Sequence, residues 1–521
     1  MNIAQLLEEQ LSERGVHTAV IENINGQEKQ TSFRELQTAV LSMSDFLQKE
    51  GFKKGQGILL FQPISANLYV YLLACFRLGI VAMFIDPGMG RRYIEQCCQL
   101  FQPTGFIGTS KAHLLRITAS SIRQIEKKYH DKGWVPGSKA IVFENQGGQD
   151  ETINASGDDI ALLTFTSGST GKPKAAARSH NFLLAQNRVL AKNLNLTASQ
   201  LDMTSLPIFV LANLAAGLTS IIPAGNLRRP DSVDAALLVS QLERLKPHRI
   251  SAPPALVERI ISHYEKVQKK LPFSCQVYTG GAPVFPRLMK RFKKSMPHSS
   301  LTVVYGSTEA EPIAHICEED ISNEDYALMS SGVGLLAGKL IEDVDLKIID
   351  VDKIEQFSAL STKAFNDFQC DVGKAGECVV TGDHVLKSYL NGIGNEETKF
   401  RVDNTLWHRT GDMAFLDASS RLWLLGRLSA VTRDSRGIVY PFSIECASNE
   451  IKGVKRSAFL PHNNERFLVL ETDDEIDEKG VELLRSKIKI DHVVFTSSLP
   501  VDKRHNSKVD YPALRKQLKL R

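Results

Sequence analysis

One stretch of the sequence has the composition of a loop that binds polyphosphate. All six residues from 166 to 171 are small or carry a hydroxyl, and Lys172 and Lys174 follow them. Glycines let backbone N–H groups approach an anion, hydroxyls donate hydrogen bonds, and lysines add positive charge. The P-loop motif G-x-x-x-x-G-K-[ST] does not fit, because Thr166 stands at its first glycine and Pro173 at its Ser or Thr. The stretch therefore predicts a phosphate loop of another kind, with a plain Ser/Gly turn between strand and helix as the alternative.

Four further motifs stand in a fixed order after this loop. They read T-G-G-A-P at 279–283, Y-G-S-T-E at 305–309, H-R-T-G-D at 408–412 and G-R at 426–427. Together with T-S-G-S-T-G-K-P-K at 166–174 they resemble the signature of the acyl-adenylating superfamily, which includes acyl-CoA synthetases, peptide-synthetase adenylation domains and luciferases. A sixth match lies in the tail, so the resemblance covers all but the N-terminal third of the chain. It implies an AMP-forming carboxylic acid ligase that uses ATP and releases pyrophosphate.

The chemistry of such a ligase explains why these residue types are needed. A weak carboxylate nucleophile must attack the α-phosphorus of ATP in line, so positioning and charge neutralisation supply most of the catalysis. By the resemblance, Glu309 is a Mg²⁺ ligand and Thr166 its hydroxyl partner, and such hard oxygen donors suit a divalent ion. Tyr305 offers a flat face to adenine, and Asp412 can accept hydrogen bonds from both ribose hydroxyls. The implied nucleotide site consists of Thr166, Ser167, Gly168, Ser169, Thr170, Gly171, Lys174, Gly281, Ala282, Tyr305, Gly306, Ser307, Thr308, Asp412 and Arg427.

The tail contains the last candidate for catalysis. Residues 500–510 read P-V-D-K-R-H-N-S-K-V-D and stand at the position of the family's closing loop, which ends in a lysine. By that match Lys508 bridges the carboxylate of the acid and the α-phosphate, and a compact ammonium with three donors suits the charge that develops between them. Lys508, Glu309 and Thr166 are thus the implied catalytic residues, and Thr166 and Glu309 are also the implied metal ligands.

Each of these residues also has an ordinary structural interpretation. Glu309 could be a carboxylate at the start of a helix, and Tyr305 a core aromatic of a strand. Asp412 could be a turn residue after Gly411. A lone lysine such as Lys508 in a basic tail is usually solvated, so the match to the family carries its assignment.

Several positions depart from the pattern of typical acyl-CoA synthetases. Ala175 stands where a glycine is usual, Val210 where a histidine is often found, and Ser429 where Asp or Lys is common. Residues 433–440 lack the glycine-flanked loop that helps to build the thiol tunnel. These departures put a CoA-dependent second half-reaction in doubt.

At these positions the sequence is similar to one subgroup of the family, the bacterial β-lactone synthetases of long-chain olefin biosynthesis. The similarity rests on D-P-G at 86–88, P-I-F at 207–209, Y-G-S-T-E with Pro312 soon after, and P-V-D-x-R-H-N-x-K at 500–508. It implies that a β-hydroxy fatty acid is adenylated and that its own hydroxyl closes a lactone with loss of AMP. A fatty acyl-CoA ligase with CoA as acceptor and a stand-alone fatty acyl-AMP ligase are the alternatives.

An alternative function of a different class is that of a catalytically silent binding protein with an adenylate-forming fold. The altered hinge and loop positions motivate it, but the joint presence of Thr166, Glu309, Asp412 and Lys508 argues against it. The partners that we expect are a small-molecule fatty acid and other enzymes of the same lipid pathway, with ATP and Mg²⁺ as cofactors.

The acyl pocket is expected along the apolar run 208–218 and the segments 252–256 and 332–336. Small residues in the first run would let a long chain pass, although ordinary core packing of a helix explains the run equally well. The predicted pocket residues are Phe209, Leu211, Gly217, Pro253, Gly280 and Gly332.

The elements that position these groups alternate between helix and strand. Helical spacing of apolar residues fits 3–11 and 32–50, with Ser32 as a helix cap. The phosphate loop is expected to lead into a helix capped near Ser179, and 350–377 is expected to be irregular. Strands are predicted at 57–61, 80–85, 140–143, 160–165, 301–305, 422–427 and 466–471. This alternation predicts an α/β fold with mixed, largely parallel sheets flanked by helices. We expect a large AMP-binding domain at 1–426 and a small, mobile α+β lid domain at 427–521 that carries Lys508.

Length and composition narrow the class of protein. The chain has 521 residues, with 63 Lys and Arg against 59 Asp and Glu. So small a net charge argues against a dedicated nucleic-acid binder. The surplus of four positive charges lies from Arg427 onward, where the sequence has 18 basic and 14 acidic residues. The eight cysteines form no C-x-x-C motif and the start shows no signal-peptide pattern, so we expect a cytoplasmic protein. Arg77 and Gly79 interrupt the only long apolar stretch, 68–85, so no transmembrane segment is expected.

Overall fold

The computed structural model describes residues 2–24, 26–142, 155–167, 172–353, 359–472, 475–501 and 509–520. The predicted site residues Gly168, Ser169, Thr170, Gly171 and Lys508 lie outside the described residues, as does the side chain of Ser167.

Strands occur along the whole described chain and form four sheets. In chain order they are β1 (Thr18–Ile24), β2 (Gln27–Ser32), β3 (Gly57–Phe61), β4 (Val81–Phe84), β5 (Gly105–Gly108), β6 (Lys127–His130), β7 (Lys139–Ala140), β8 (Ile160–Ser167), β9 (Pro173–Ser179), β10 (Leu201–Thr204), β11 (Thr219–Ile221), β12 (Arg249–Ala252), β13 (Gln276–Gly280), β14 (Ser300–Ser307), β15 (Ala310–Cys317), β16 (Leu335–Leu340), β17 (Asp345–Ile349), β18 (Ala359–Leu360), β19 (Gly376–Thr381), β20 (Lys399–Val402), β21 (Thr405–Leu416), β22 (Arg421–Arg427), β23 (Thr432–Asp434), β24 (Gly437–Val439), β25 (Val454–His462), β26 (Glu465–Thr472) and β27 (His492–Thr496).

Helices fill most of the connections between these strands. They are α1 (Gln5–Arg14), α2 (Phe33–Lys49), α3 (Ala66–Arg77), α4 (Arg91–Leu100), α5 (Leu115–Thr118), α6 (Ser120–Gln124), α7 (His180–Asn193), α8 (Pro207–Ala216), α9 (Ala235–Leu245), α10 (Pro254–Lys266), α11 (Pro286–Ser295), α12 (Asn323–Ser330), α13 (Thr362–Asp367), α14 (Asn395–Thr398), α15 (Pro441–Ser448), α16 (Glu478–Ile488) and α17 (Tyr511–Gln517).

Two large sheets form the body of the molecule. The seven-stranded sheet has the order β7-β6-β5-β3-β4-β8-β9, and all its neighbours are parallel except β8 and β9. The fifteen-stranded sheet contains a parallel run β1-β11-β10-β12-β13-β14 that continues into antiparallel strands from β15 onward. Parallel strands connected through helices place their carboxyl ends at one edge, which is where ligands bind in such sheets. The predicted α/β fold with largely parallel sheets is confirmed.

The residues after β22 form sheets of their own. The hairpin β23–β24 and the three-stranded sheet β25-β26-β27 contain no strand from the body. Val454, Phe459 and Leu468 pack in a separate apolar cluster with residues of α15 and α16. This separation agrees with the expected lid at 427–521, although the boundary itself stays a prediction.

Local sequence signals for helices hold well. Ser32 caps α2 in a capping box with Glu35, and the predicted apolar face of that helix is buried. Ser179 caps α7 by accepting a hydrogen bond from the backbone N–H of Phe182. Over the part of the chain that the structure describes, no helix is both long and apolar enough to cross a membrane.

Three predictions about elements need correction. The strand predicted at 140–143 is reduced to β7, because Val142 is exposed and pairs with no strand, and residue 143 lies outside the described residues. Residues 350–377, predicted to be irregular, contain β18 and α13, since Phe365 is buried against Trp407. The stretch after the phosphate loop was expected to lead into a helix, but it forms β9 before α7 begins.

Candidate functional site

The base of the phosphate loop is the hairpin of β8 and β9. Thr166 and Lys174 are paired across it, so the strand register places a hydroxyl and an ammonium on either side of residues 168–171. Lys174 is buried, its ammonium pairs with the carboxylate of Glu397, and its Nζ lies 5.8 Å from the ring centroid of Tyr389. The ammonium of Lys174 is therefore held by a carboxylate from outside the hairpin.

A second group joins three of the predicted nucleotide residues. Strand register pairs Asp412 of β21 with Arg427 of β22. The hydroxyl of Tyr305 donates to Oδ2 of Asp412 at 2.8 Å, and Nη1 of Arg427 lies 3.3 Å from Oδ1. The same Nη1 donates to the carbonyl oxygen of Thr410 at 2.8 Å. Each carboxylate oxygen of Asp412 keeps lone pairs that ribose hydroxyls could use.

Glu309 lies at the turn between β14 and β15. Its Oε1 accepts a hydrogen bond from the hydroxyl of Tyr389 at 2.7 Å, and its carbonyl oxygen accepts one from the N–H of Leu386 at 2.7 Å. An isolated bridge between Ala310 and Val385 holds the same two segments together. The carboxylate is therefore fixed from a segment that lies far away in sequence.

The electrostatic surroundings keep Glu309 ionised. Burial alone would raise the pKa of its carboxyl, but the charge at His408, the Tyr389 hydroxyl and the charge at Lys399 together hold this pKa below its ordinary value. Burial lowers the pKa of His408 to about 3, so that ring is neutral near pH 7 and the other two groups remain. Burial lowers the pKa of Lys399 to about 7 against the opposing attraction of Glu309. An ionised, buried carboxylate is what a metal ligand requires.

Two glycines allow the backbone of the T-G-G-A-P motif to approach its neighbours. A Cβ on Gly280, which ends β13, would lie 2.2 Å from the carbonyl oxygen of Val304 on β14. Gly281 has φ +76°, a conformation that favours glycine. Ala282 follows them half-buried. This turn therefore lies directly beside the strand that carries Tyr305.

The Y-G-S-T-E turn is connected to the phosphate hairpin. A Cβ on Gly306 would lie 3.0 Å from a carbonyl oxygen of β15. Oγ of Ser307 accepts a hydrogen bond from the N–H of Glu309 at 3.3 Å. Arg178 of β9 donates from Nη2 to the carbonyl oxygen of Thr308 at 2.9 Å. Among the described residues, the Y-G-S-T-E motif therefore contacts both the β8–β9 hairpin and Asp412 of the H-R-T-G-D motif.

The two predicted metal ligands have the chemistry of a magnesium site that also uses substrate oxygens. Glu309 and Thr166 supply hard oxygen donors, and Tyr389 occupies only one oxygen of the Glu309 carboxylate. In the described ranges no three His, Cys, Asp or Glu side chains are grouped as a metal site. A Mg²⁺ ion usually takes one or two protein ligands together with phosphate and water, and this donor set matches that habit.

Three of the predicted pocket residues lie near the adenylate site. Phe209 packs in a cluster with Tyr278 of β13 and Val304 of β14. Pro253 directly follows β12, and Gly280 ends β13, so both lie at the carboxyl edge of neighbouring parallel strands. Their role in binding an acyl chain stays a prediction.

The other three predicted pocket residues have different packing partners. Leu211 packs in the core that contains Ile3. Gly217 ends α8, where a Cβ would meet the side chains of Gln10 and Arg14 on α1. A Cβ on Gly332 would lie 2.5 Å from the carbonyl oxygen of Ser443 on α15. Leu211 shares α8 with Phe209 and Gly217 caps that helix, but they contact other parts of the fold, and the role of all three residues in binding an acyl chain stays a prediction.

Sequence reasoning missed the groups that surround Glu309. Tyr389, Lys399 and Glu397 belong to no motif that we recognised, and Arg178 lies beyond the end of the phosphate-loop signature. His408 stands inside H-R-T-G-D, and a histidine next to a predicted nucleotide motif was a signal that could have been used. The others approach the site only through long-range packing.

A comparison with protein families decides the assignment. The model of the AMP-binding enzyme family matches residues 7–390. The chain belongs to this family of AMP-binding enzymes. Among curated proteins it is 27% identical to an olefin beta-lactone synthetase of Stenotrophomonas maltophilia, over 92% of this chain and 89% of that one. It is 26% identical to an olefin beta-lactone synthetase of Xanthomonas campestris pv. campestris, over 92% of this chain and 89% of that one.

A solved structure agrees with the fold. The amide bond synthetase McbA of Marinactinospora thermotolerans superposes with a TM-score of 0.81 at 17% identity, over 99% of each chain. The motif-based recognition is confirmed, and the AMP-binding enzyme described here is an AMP-forming ligase of the ATP-dependent, acyl-adenylate-forming kind.

Proposed function

We propose that this ligase adenylates a long-chain β-hydroxy fatty acid and then closes a β-lactone with loss of AMP. The observation that carries the proposal is the similarity to two olefin beta-lactone synthetases over about nine-tenths of the chain. The tail sequence P-V-D-K-R-H-N-S-K at 500–508 supports the same subgroup.

In the first half-reaction the carboxylate of the acid attacks the α-phosphorus of ATP, and pyrophosphate leaves. Lys174 and the hydroxyl of Thr166, paired across the β8–β9 hairpin, would contact phosphate oxygens, and Asp412 would hold the ribose. Thr166 and Glu309 would hold a Mg²⁺ ion, which neutralises phosphate charge when bound. Lys508 is the group proposed to bridge the carboxylate and the α-phosphate.

In the second half-reaction the β-hydroxyl oxygen attacks the carbonyl carbon of the acyl adenylate. A carbon–oxygen bond forms to close the four-membered ring, the bond from the carbonyl carbon to the phosphate oxygen breaks, and AMP leaves. The hydroxyl proton goes to solvent or to a base. No external thiol takes part, so CoA is required only if the enzyme is an acyl-CoA ligase instead.

The hairpin β23–β24, where a thiol tunnel would be built, is held by an ion network. Asp434 is nearly fully buried and accepts hydrogen bonds from Arg466 at 2.7 and 2.9 Å and from Arg436 at 2.8 and 3.1 Å. Arg436 also pairs with Asp491 at 2.8 Å. Arg436 and Arg466 are therefore engaged with Asp434 rather than available to a CoA phosphate.

We also propose that residues 427–521 act as a lid that brings Lys508 to the site. Exposed ion pairs such as Lys290 with Glu450 and Arg433 with Asp352 connect these residues to the body. Exposed pairs of this kind contribute about 0–1 kcal/mol each, so breaking them would cost little when the lid moves.

The proposal is tested by supplying ATP, Mg²⁺ and a panel of fatty and β-hydroxy fatty acids, with and without CoA, and measuring AMP and acyl products. We expect AMP and lactone from β-hydroxy acids without CoA. AMP that appears only with CoA would show a thioester ligase. The absence of AMP with every acid would show a silent adenylate-fold protein.

A further inference from the structure

Three loops lie together at one edge of the seven-stranded sheet. Residues 86–92 follow β4, 110–118 follow β5 and 131–138 follow β6, and we call them the edge loops. Because these three strands belong to one parallel set, their carboxyl ends share an edge. Oγ of Ser110 donates to the carbonyl oxygen of Lys132 at 2.8 Å, so two of the loops touch directly.

Each edge loop exposes a large apolar side chain. The exposed fractions are 81% for Trp134, 73% for Ile117, 62% for Leu114 and 38% for Met89. The loop that carries Trp134 is attached to the loop after β5, because Arg116 donates from Nη1 to the carbonyl oxygen of Pro136 at 2.7 Å. Exposed apolar side chains on neighbouring loops that are fixed by hydrogen bonds are typical of a surface that binds a partner.

The charges around these tips select the kind of partner. The edge loops contain five basic residues and two acidic ones. Both acidic residues, Asp86 and Asp131, are half-buried, and Asp86 accepts a hydrogen bond from the N–H of Gly88 at 2.7 Å. Of the bases, Lys111, Lys132, Arg91 and Arg92 are exposed, and Arg116 is half-buried.

We propose that the edge loops dock the protein on an anionic lipid surface. Tryptophan prefers the boundary between head groups and acyl chains, and basic side chains are attracted to anionic lipids. Stable peripheral binding needs both signals together, and the edge loops carry both.

The docked orientation would turn the adenylate site toward the lipid. Strand β8 runs parallel to β4 and ends at the same edge, with Thr166 near its end. A water-insoluble acid could then pass from lipid to enzyme over a short path. The docking proposal itself does not depend on which acid is used.

Tryptophan fluorescence gives a direct test. The chain has three tryptophans, and Trp407 and Trp423 are 7% and 2% exposed, so Trp134 is the one that a lipid surface can reach. We expect vesicles of equal parts phosphatidylglycerol and phosphatidylcholine to shift the emission of the full-length protein to shorter wavelength. Phosphatidylcholine vesicles should shift it little, and Trp134→Phe should abolish the shift.

Co-sedimentation with the same vesicles measures the contribution of the apolar tips. The combined variant Leu114→Ser, Ile117→Ser, Trp134→Ser should bind at least about tenfold more weakly, because several buried apolar groups are lost together. Leu483→Ser is a matched control on α16, since Leu483 is as exposed as Ile117 at 73%. Both variants should keep the wild-type rate of ATP–pyrophosphate exchange, which shows that the site is folded.

Three results would overturn the proposal. One is the absence of binding to anionic vesicles, and another is equal binding to neutral vesicles. The third is vesicle binding unchanged in the combined variant while light scattering shows a dimer converted to a monomer. That last result would assign the edge loops to contacts between copies of the chain.

Discussion

At the scale of single residues, the environment of Glu309 determines whether the site can hold a metal. Its carboxylate is buried, yet His408, the hydrogen bond from Tyr389 and Lys399 hold the pKa of this carboxyl below its ordinary value. The Nζ atoms of Lys174 and Lys399 each lie 5.8 Å from the ring centroid of Tyr389. Removing the tyrosine hydroxyl should therefore loosen the carboxylate without removing it.

We predict that Tyr389→Phe lowers kcat/KM for adenylation roughly tenfold and raises the Mg²⁺ concentration needed for half-maximal ATP–pyrophosphate exchange. The physical reason is that one hydrogen bond to a charged group is lost. Tyr264→Phe is the matched control, because its hydroxyl donates to Glu243 at 2.9 Å on α9, in another part of the body. An unchanged Mg²⁺ requirement in Tyr389→Phe would contradict this role.

A second prediction concerns the tail lysine. Lys508→Ala should reduce ATP–pyrophosphate exchange at least about a hundredfold while ATP binding changes little, because the ammonium stabilises charge only as the acid attacks. Lys503→Ala, in the same segment, is the control and should exchange pyrophosphate at the wild-type rate. Normal exchange by Lys508→Ala would show that the family match misassigns this residue.

How far the site could be predicted depends on whether its residues lie in contiguous motifs. Tyr305, Asp412 and Arg427 were each found in a short motif, and the structure joins them through a hydrogen bond from Tyr305 and an ion pair with Arg427, both to Asp412. Tyr389 stands 80 residues from its partner Glu309 and in no motif, so only the packed fold reveals the pair. Buried electrostatic partners of this kind have no local signature in a sequence.

At the scale of elements, the sequence predicted the first residues of helices more accurately than the ends of strands. Ser32 and Ser179 cap helices as expected, because a capping hydroxyl acts within one turn. Strand β9 was missed, since its pairing with β8 depends on a partner across the phosphate loop. The edge of β7 ends early because Val142 finds no neighbouring strand.

A buried contact ties the last helix to the C-terminal sheets. The hydroxyl of Tyr511, at the start of α17, donates to Oε1 of Glu445 on α15 at 2.5 Å. Glu445 is 3% exposed. Burial raises the pKa of its carboxyl to about 7, although hydrogen bonds from Tyr511 and from the backbone of Phe459 oppose that rise. The folded protein therefore keeps Glu445 protonated at pH values where the unfolded chain has lost that proton.

We predict that this carboxyl destabilises the C-terminal region as the pH rises from about 4.5 to about 7, by roughly 3 kcal/mol at most. Glu445→Gln removes the group that titrates. The free energy of unfolding of this variant minus that of the wild type should therefore increase as the pH rises through that range and stay constant above it. Denaturant unfolding at several pH values measures the difference.

The control for this prediction is Glu482→Gln, an exposed glutamate of α16 whose side chain is 69% accessible. It should follow the pH dependence of the wild type. Parallel profiles for Glu445→Gln and the wild type would show that Glu445 does not titrate in this range.

At the scale of the whole molecule, the predicted adenylate residues lie at the carboxyl edges of strands in the two large sheets. The phosphate hairpin extends from one sheet, and Gly280 and Tyr305 lie at the end of parallel strands in the other. Arg178 of β9 bonds to the turn after Tyr305 and links the two sheets at this point. The tail after Arg427 has sheets of its own, which is the arrangement that a lid needs.

We propose that the β-hydroxyl of the substrate itself is the nucleophile that releases AMP. The most direct measurement compares a long-chain β-hydroxy acid with the same acid lacking the hydroxyl, with ATP and Mg²⁺ but without CoA. We predict one AMP and one lactone for each β-hydroxy acid consumed. The matched acid should give a single turnover of pyrophosphate and leave its acyl-AMP on the enzyme. Equal steady release of AMP from both acids, or a β-hydroxy acid that yields AMP only when CoA is added, would contradict the account.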